Sequence, residues 1–133
     1  MKHPVACGAL LAASVFTTLA TVAAQQPAFK RTVLQQYDIS APGREAVSAR
    51  VEFPAGSETG RHTHPGEEIS FVEEGPFVLE IEGQPTRTLK TGDVFFVPAN
   101  TIHNGRPAGA SARVIANYIV EKGKPITTPA PPK

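Results

Sequence analysis

The sequence predicts an all-β domain, a small barrel or sandwich built from short strands. Short apolar runs alternate with turn residues at intervals of roughly eight to twelve residues, which is typical of these folds. The 133-residue chain contains 13 Pro and 11 Gly, a composition that favours turns over long helices. No window after Gln25 sustains a helical period.

The composition excludes several classes of protein. A chain of 133 residues is long enough for one domain and too short for two. Thirteen basic against twelve acidic residues give a net charge of +1, so no basic excess indicates a nucleic-acid partner. With 41% hydrophobic residues, the chain is neither charge-rich and disordered nor a multi-span membrane protein.

Residues 1–24 have the layout of a secretory signal peptide. Lys2 gives a basic start, residues 5–24 carry no charge, and Val22-Ala23-Ala24 is a small-residue cleavage triplet. The alternative is an uncleaved membrane anchor, since the run is just long enough to span a bilayer. We expect cleavage before Gln25 and export to the periplasm or beyond the cell, with no remaining membrane contact. Cleavage also removes Cys7, the only cysteine, and with it any disulfide.

Seven strands are predicted between the signal peptide and a C-terminal tail. They cover residues 32–37, 46–53, 69–72, 77–82, 86–90, 94–97 and 112–120. Strict alternation in 46–53 predicts one buried face. Gly83-Gln84 is suited to a hairpin turn, and the run 94–97 is apolar on both faces, which predicts a deeply buried strand.

The domain boundaries follow from these patterns. The β domain is expected over residues 25–121. Residues 122–133 contain four Pro and little that would enter a core, so they are expected to form an extended tail.

Chemistry-bearing residues concentrate in two short segments that follow strands. His62 and His64 lie two residues apart, so on an extended backbone both side chains point to the same face. Glu68 follows the turn residues Pro65-Gly66 and can return beside the two imidazoles. His103, the remaining histidine after residue 24, comes just before the last strand.

Three imidazoles and one carboxylate are a mixed nitrogen and oxygen donor set. Such a set suits one divalent transition metal (iron, manganese, nickel, copper or zinc) and not calcium. In six coordination, four protein ligands leave two positions free, which is typical of a working metal site. The alternative is that each histidine is an ordinary core or surface residue, because an HxH pair alone is a weak signal.

The spacing of these residues resembles the two motifs of the cupin superfamily. The first motif reads Gly56-x5-His62-x-His64-x3-Glu68-x6-Gly75 and matches at every fixed position. The second reads Gly92-x5-Pro98-x-Asn100-x2-His103. Here Asn100 stands in place of the family's Gly, and Asn tolerates a left-handed backbone. Pro107 stands in place of a closing Asn, a position for which Asn104 is a partial substitute.

The resemblance implies a fold and a site. The fold is a single conical β-barrel, the cupin jelly roll, and a homodimer is implied. His62, His64, Glu68 and His103 would point inward at one metal, with Glu68 as the anionic ligand. The resemblance also implies that metal loss would loosen the barrel.

Three kinds of function agree with this site. The first is an oxygen-dependent, dioxygenase-like metalloenzyme that acts on a small organic substrate in a dry pocket near Phe71, Phe95 and Phe96. The second is a metal-binding or small-ligand-binding protein without catalysis, and cupin isomerases or decarboxylases are a third option.

The sequence identifies no catalytic residue. Asn117 and Tyr118 on the last strand are candidates for orienting the histidines, but they are interpreted as ordinary sheet residues. Arg61 and Arg106 could face an anionic substrate, but they are interpreted as exposed surface residues. Tyr118 and Glu68 are the proton-transfer candidates near the site.

Overall fold

The computed structural model describes residue 25 and residues 27–133, and this part of the chain contains ten β-strands. The strands are β1 (Lys30–Asp38), β2 (Arg44–Phe53), β3 (His62–Thr63), β4 (Gly66–Glu74), β5 (Phe77–Ile81), β6 (Arg87–Leu89), β7 (Val94–Val97), β8 (His103–Pro107), β9 (Ala112–Glu121) and β10 (Thr128–Pro129). The predicted signal peptide, residues 1–24, lies outside the described residues. Within the described residues no helix has the length and apolarity needed to cross a membrane.

The strands form two five-stranded antiparallel sheets, so the all-β prediction is confirmed. Sheet I has the order β1-β2-β9-β4-β7, and sheet II has the order β10-β3-β8-β5-β6. Side chains from both sheets share one hydrophobic core. The chain passes repeatedly between the sheets, which is how segments distant in sequence come to face one interior.

Strands β2 and β9 are neighbours in sheet I and bury one shared face, because their apolar residues alternate in phase. In the register of this pair, Val47 lies opposite Tyr118, Ala49 opposite Ala116 and Val51 opposite Val114. All six are buried, as the alternation predicts. Burying each of the larger apolar side chains contributes about 1.5–3 kcal/mol to stability.

Three phenylalanines join the sheets at one end of the interior. The ring centroids of Phe53 and Phe77 are 5.2 Å apart, and those of Phe77 and Phe95 are 5.9 Å apart. In the β5–β8 pair, Phe77 lies opposite Pro107 and Ile81 lies opposite His103. The aromatic end and the histidine end are therefore separated by four residues of strand, roughly 13 Å.

The prediction that residues 94–97 are deeply buried on both faces is wrong. Strand β7 lies at the edge of sheet I, where Phe95 and Val97 point inward but Val94 is 65% and Phe96 51% exposed. Phe71, on the neighbouring strand β4, is also exposed. Of the three phenylalanines expected to line a pocket, only Phe95 does so. The outer face of sheet I has no covering layer in the described part of the chain, and an apolar run cannot reveal this.

The C-terminal segment is extended, but it is docked onto the domain. Strand β10 pairs with β3, with Thr128 opposite Thr63 and Pro129 opposite His62. Ile126 packs against the core. The predicted hairpin is confirmed as well: β5 and β6 pair antiparallel, and Gly83 adopts φ +81° in the turn between them.

Candidate metal centre

The two sheets bring the four predicted site residues together. His62 on β3 and His103 on β8 form a cross-strand pair, so their rings stand side by side with centroids 4.1 Å apart. His64 follows β3 directly. Glu68 lies on β4 in sheet I and faces these histidines across the interior.

The metal-binding atoms of these side chains lie within a few ångströms of one another. His62 Nε2 is 3.2 Å from His64 Nε2. Glu68 Oε2 is 3.0 Å from His64 Nε2 and 3.3 Å from His103 Nε2. One ligand atom from each histidine fits within a 4.8 Å span. All four residues are buried.

Backbone carbonyls hold all three imidazole rings in the same way. His62 Nδ1 lies 2.8 Å from the carbonyl oxygen of Gly60, and His103 Nδ1 lies 2.9 Å from that of Thr101. His64 Nδ1 lies 2.6 Å from the carbonyl oxygen of Ile126 in the C-terminal segment. A carbonyl can only accept, so each Nδ1 carries the hydrogen and donates it. In the neutral rings, each Nε2 therefore presents a lone pair to the cluster centre.

This arrangement fits a metal ion. Without a cation, the lone pairs of His62 Nε2 and His64 Nε2 would face each other at 3.2 Å, which is repulsive. His103 Nε2 is buried and accepts no hydrogen bond from the described residues, although buried polar atoms are almost always satisfied. A divalent ion would satisfy all three nitrogens at once, and carbonyl-oriented rings are typical of metal sites.

Burial and mutual contact shift the pKa values of the cluster. Burial, together with nearby His103 and His64, lowers the pKa of His62 to about 4, so this ring is neutral at pH 7 and free to bind a metal. Burial alone would raise the pKa of Glu68, but its close contacts with His103 and His64 outweigh burial and hold that pKa well below its usual range. Glu68 is therefore a carboxylate, and its Oε1 accepts a 2.5 Å hydrogen bond from Ser70.

Two backbone features place these ligands. A Cβ atom at Gly66 would lie 1.9 Å from the carbonyl oxygen of Ile119, so only glycine allows β4 to approach β9 this closely just before Glu68. Asn100 adopts φ +57°, and its N–H donates to the carbonyl oxygen of His64 at 2.9 Å. The prediction that Asn100 can replace a left-handed glycine is confirmed.

A small cavity opens beside the cluster. It has about 380 Å³ of empty space, including its opening to solvent. His62, Glu68, His103 and Tyr118 form part of its wall, and the remainder is mostly apolar. The ring of Tyr118 lies 4.7 Å from that of His64, so Tyr118 is part of the site and not the ordinary sheet residue that the sequence suggested. Burial and the charge of Glu68 raise its pKa, so it stays protonated.

The other residues weighed from the sequence lie outside the cavity. Arg61 pairs with Glu82 and Arg106 with Glu80, in agreement with a surface role. Asn117 donates to the carbonyl oxygen of Ile69, as an ordinary sheet residue can. Asn104 donates to Glu58 at 2.8 Å and accepts from Thr59 at 3.1 Å, so it stabilises the loop before β3.

Sequence reasoning missed two features of the site. Arg31, in an otherwise exposed strand, lines the cavity. The carbonyl group of Ile126 orients His64. Backbone carbonyls have no side-chain signature, and a single arginine in a polar strand gives no signal, so neither feature could be read from the sequence.

The family of the chain follows from its domain match. A model of the cupin domain matches residues 49–126, more than half of the chain. The chain belongs to the cupin superfamily. The fold implied by the resemblance in the two motifs is thereby confirmed.

Solved structures share the fold of this cupin. The DMSP lyase DddQ of Ruegeria pomeroyi DSS-3 is 25% identical with a TM-score of 0.65, over 77% of this chain and 51% of that one. A cupin-like protein of Thermotoga maritima msb8 is 24% identical with a TM-score of 0.61, over 77% and 75% of the two chains. A predicted oxalate decarboxylase of Thermotoga maritima is 27% identical with a TM-score of 0.51, over 58% and 80%.

The similarity to the lyase is partial in length. This cupin aligns with about half of the DMSP lyase chain. Among curated proteins, none matches it significantly. These similarities establish the family and the fold of the chain.

Proposed function

We propose that this cupin is a metal-dependent enzyme that acts on a small organic molecule in the cavity beside its histidine cluster. The main support is that three imidazole rings point their Nε2 atoms at one place, while backbone carbonyls accept hydrogen bonds from all three Nδ1–H groups. Burying several converging lone pairs destabilises the folded protein unless a cation binds them. The adjoining cavity provides room for a substrate.

In this proposal, His62, His64, His103 and Glu68 hold one divalent transition metal: iron, manganese, nickel, copper or zinc. Glu68 is the anionic ligand, and Ser70 orients it by donating to Oε1. A bound ion of this kind would supply Lewis-acid chemistry and, if redox-active, the ability to activate dioxygen. The apolar wall of the cavity would keep water away from the substrate, and Tyr118 would donate a hydrogen bond to it.

The reaction class that we propose first is oxygen-dependent, as in dioxygenase-like cupins. Three observations support it: a donor set of three imidazoles and one carboxylate, a mostly apolar cavity, and a cavity wall that carries no carboxylate or imidazole outside the cluster in the described part of the chain. Such a site leaves the chemistry to the metal and uses the protein for binding and for excluding water.

A second candidate is non-oxidative cleavage by a lyase or decarboxylase. Two structural neighbours, a DMSP lyase and a predicted oxalate decarboxylase, carry such names. The position of Tyr118 beside His64 also favours it, because a protonated phenol there can deliver a proton to a product. Isomerase activity and ligand binding without catalysis are further outcomes of the same tests.

Metal analysis of variants tests the site. The purified protein is expected to hold close to one transition-metal ion per chain, and His62→Ala or His103→Ala is expected to lose most of it. Thr63→Ala is the matched control, because Thr63 lies between two ligands but is not part of the cluster. Wild-type metal content in either histidine variant would refute the assignment.

Oxygen dependence separates the reaction classes. With the metal-loaded protein, oxygen uptake in the presence of enol, diketone or flavonol substrates supports the dioxygenase-like reaction. Turnover that proceeds equally well without oxygen supports the lyase or decarboxylase. A loaded protein that binds small ligands but converts none would point to the binding role.

We also propose that the protein is exported and forms a homodimer. Export rests on residues 1–24 and is tested by N-terminal sequencing of the protein from its host, which should begin at Gln25. Dimerisation is supported by an apolar patch on the outer face of the edge strand β7 and its neighbour β4, formed by Ile69, Phe71, Val94 and Phe96. Light scattering should give the dimer mass, and Phe96→Glu should shift it toward the monomer.

A further inference from the structure

Arg31 is the one residue of β1 that is not exposed. Arg31 lines the cavity, and its Cζ lies 5.7 Å from the centroid of the Tyr118 ring. Its Nη2 donates to Thr127 Oγ1 at 2.8 Å. Arg31 therefore joins three parts of the chain at the cavity: the first strand, the last long strand and the C-terminal segment.

The charge of Arg31 has no counterion in the described part of the chain. No carboxylate oxygen there lies within ion-pair distance of it, whereas Arg50 and Arg113 both pair with Glu73 and Arg61 pairs with Glu82. Its Nε atom is fully buried and has no hydrogen-bond acceptor among the described residues. Buried donors are normally satisfied, so an acceptor for this Nε–H is missing, and a negatively charged acceptor would also balance the charge of the guanidinium.

Glu68 is not that partner, although it lines the same cavity. Its Oε1 accepts from Ser70, and its Oε2 faces His64 and His103 at 3.0 and 3.3 Å. Both oxygens are thus engaged at the cluster. The Arg31 guanidinium and the histidine cluster are therefore two separate polar groups on the wall of one small, mostly apolar cavity.

We propose that Arg31 binds the carboxylate of a small organic acid whose other polar end reaches the histidine cluster. The inference rests on the proposed function, to which it adds the substrate class. A guanidinium N–H donor matches a carboxylate oxygen in charge and geometry. A single cation among apolar walls suits a monoanionic group better than phosphate, which needs more donors. The size of the cavity restricts the acid to a few carbon atoms.

Titration of the zinc-loaded protein with malonate tests this assignment. The Arg31 Nε–H resonance, identified by its absence from Arg31→Lys, is expected to shift on addition of malonate and to stay in place on addition of malonamide. Arg31→Gln should weaken malonate binding by roughly tenfold or more, since a charge-assisted hydrogen bond is lost. Its zinc content should equal that of the wild type. Arg31→Lys should restore part of the affinity.

Thr127→Val separates ligand binding from a structural role of Arg31. It removes the hydrogen bond to the C-terminal segment and keeps the guanidinium, so malonate affinity should stay within about twofold of the wild type. Equal affinity of wild type and Arg31→Gln for malonate, equal binding of malonate and malonamide, or a preference for phosphate would each overturn the proposal.

The same titration on chelator-treated protein separates this inference from the metal assignment. If the protein proves unable to hold a metal, the proposed function fails. A malonate-induced shift of the Arg31 resonance that disappears in Arg31→Gln would still support the anion site. Absence of that shift in both metal-loaded and metal-free protein overturns the inference alone.

Discussion

The two ends of the interior are built by the same pair of sheets but are stabilised differently. At one end, Phe53, Phe77 and Phe95 pack with neighbouring ring centroids less than 6 Å apart, and dispersion and apolar burial are sufficient. At the other end, three imidazoles and a carboxylate are packed at 3.0–3.3 Å. Apolar packing is favourable whatever the solution conditions, whereas the packing of lone pairs depends on protons or a metal.

One end of the interior stabilises the fold, and the other end carries the candidate metal centre. The aromatic end needs no ligand and can support the strands that carry the site. The histidine end is held by backbone carbonyls from two loops and the C-terminal segment. It should respond to metal, pH and truncation, and the aromatic end should not.

The largest loss of stability is expected from a substitution at the aromatic end. Phe77→Ala should lower the free energy of unfolding by about 3–5 kcal/mol, because it removes a ring that is buried between the sheets. Denaturant unfolding measures this loss. The metal content of the folded variant should stay at the wild-type value, and a loss of metal would show that the two ends are not independent.

The next effect concerns acid stability of the metal-free protein. The pKa of folded His62 is about 4, and that of the unfolded residue is roughly 6.5. The unfolded chain therefore binds a proton first, and stability should fall by about 3 kcal/mol as the pH drops from 6.5 to 4. Protonation of Glu68 should lower the stability further at lower pH, because the pKa of Glu68 is depressed in the folded protein.

Unfolding of chelator-treated protein across this pH range measures the effect. His62→Gln removes the titrating ring and should flatten the curve between pH 6.5 and 4. A wild-type stability that is constant over the same range would contradict the depressed pKa.

A smaller effect is expected from the C-terminal segment. Ending the chain at Glu121 removes the carbonyl group of Ile126 that holds His64 Nδ1. Metal affinity should fall roughly 10- to 100-fold, as is common when a ligand loses its orienting hydrogen bond. Competition with a chromophoric chelator measures the affinity. A shorter truncation that removes residues 132–133 keeps Ile126 and β10 and should bind metal as the full chain does.

Much of this comparison could be predicted from the sequence, and the exceptions have physical causes. Alternation fixed the inward faces of β2 and β9, and the spacing of His62, His64, Glu68 and His103 predicted their convergence, which the structure shows. Strand position within a sheet is a tertiary property, so the exposed faces of Val94 and Phe96 could not be foreseen.

The roles of Ile126 and Arg31 arise from backbone geometry and long-range docking. The C-terminal residues read as a proline-rich tail because their contacts with β3 are made mainly by backbone groups. Arg31 reaches the cavity because β1 pairs with β2 in a register that a single sequence does not specify.

Anomalous scattering from a crystal of the metal-loaded protein tests most directly whether the four residues hold one metal ion. One peak is expected between the sheets, within roughly 2.0–2.3 Å of Nε2 of His62, His64 and His103 and of one oxygen of Glu68. A peak elsewhere on the molecule, or a loaded protein whose three Nε2 atoms contact no metal, would contradict it.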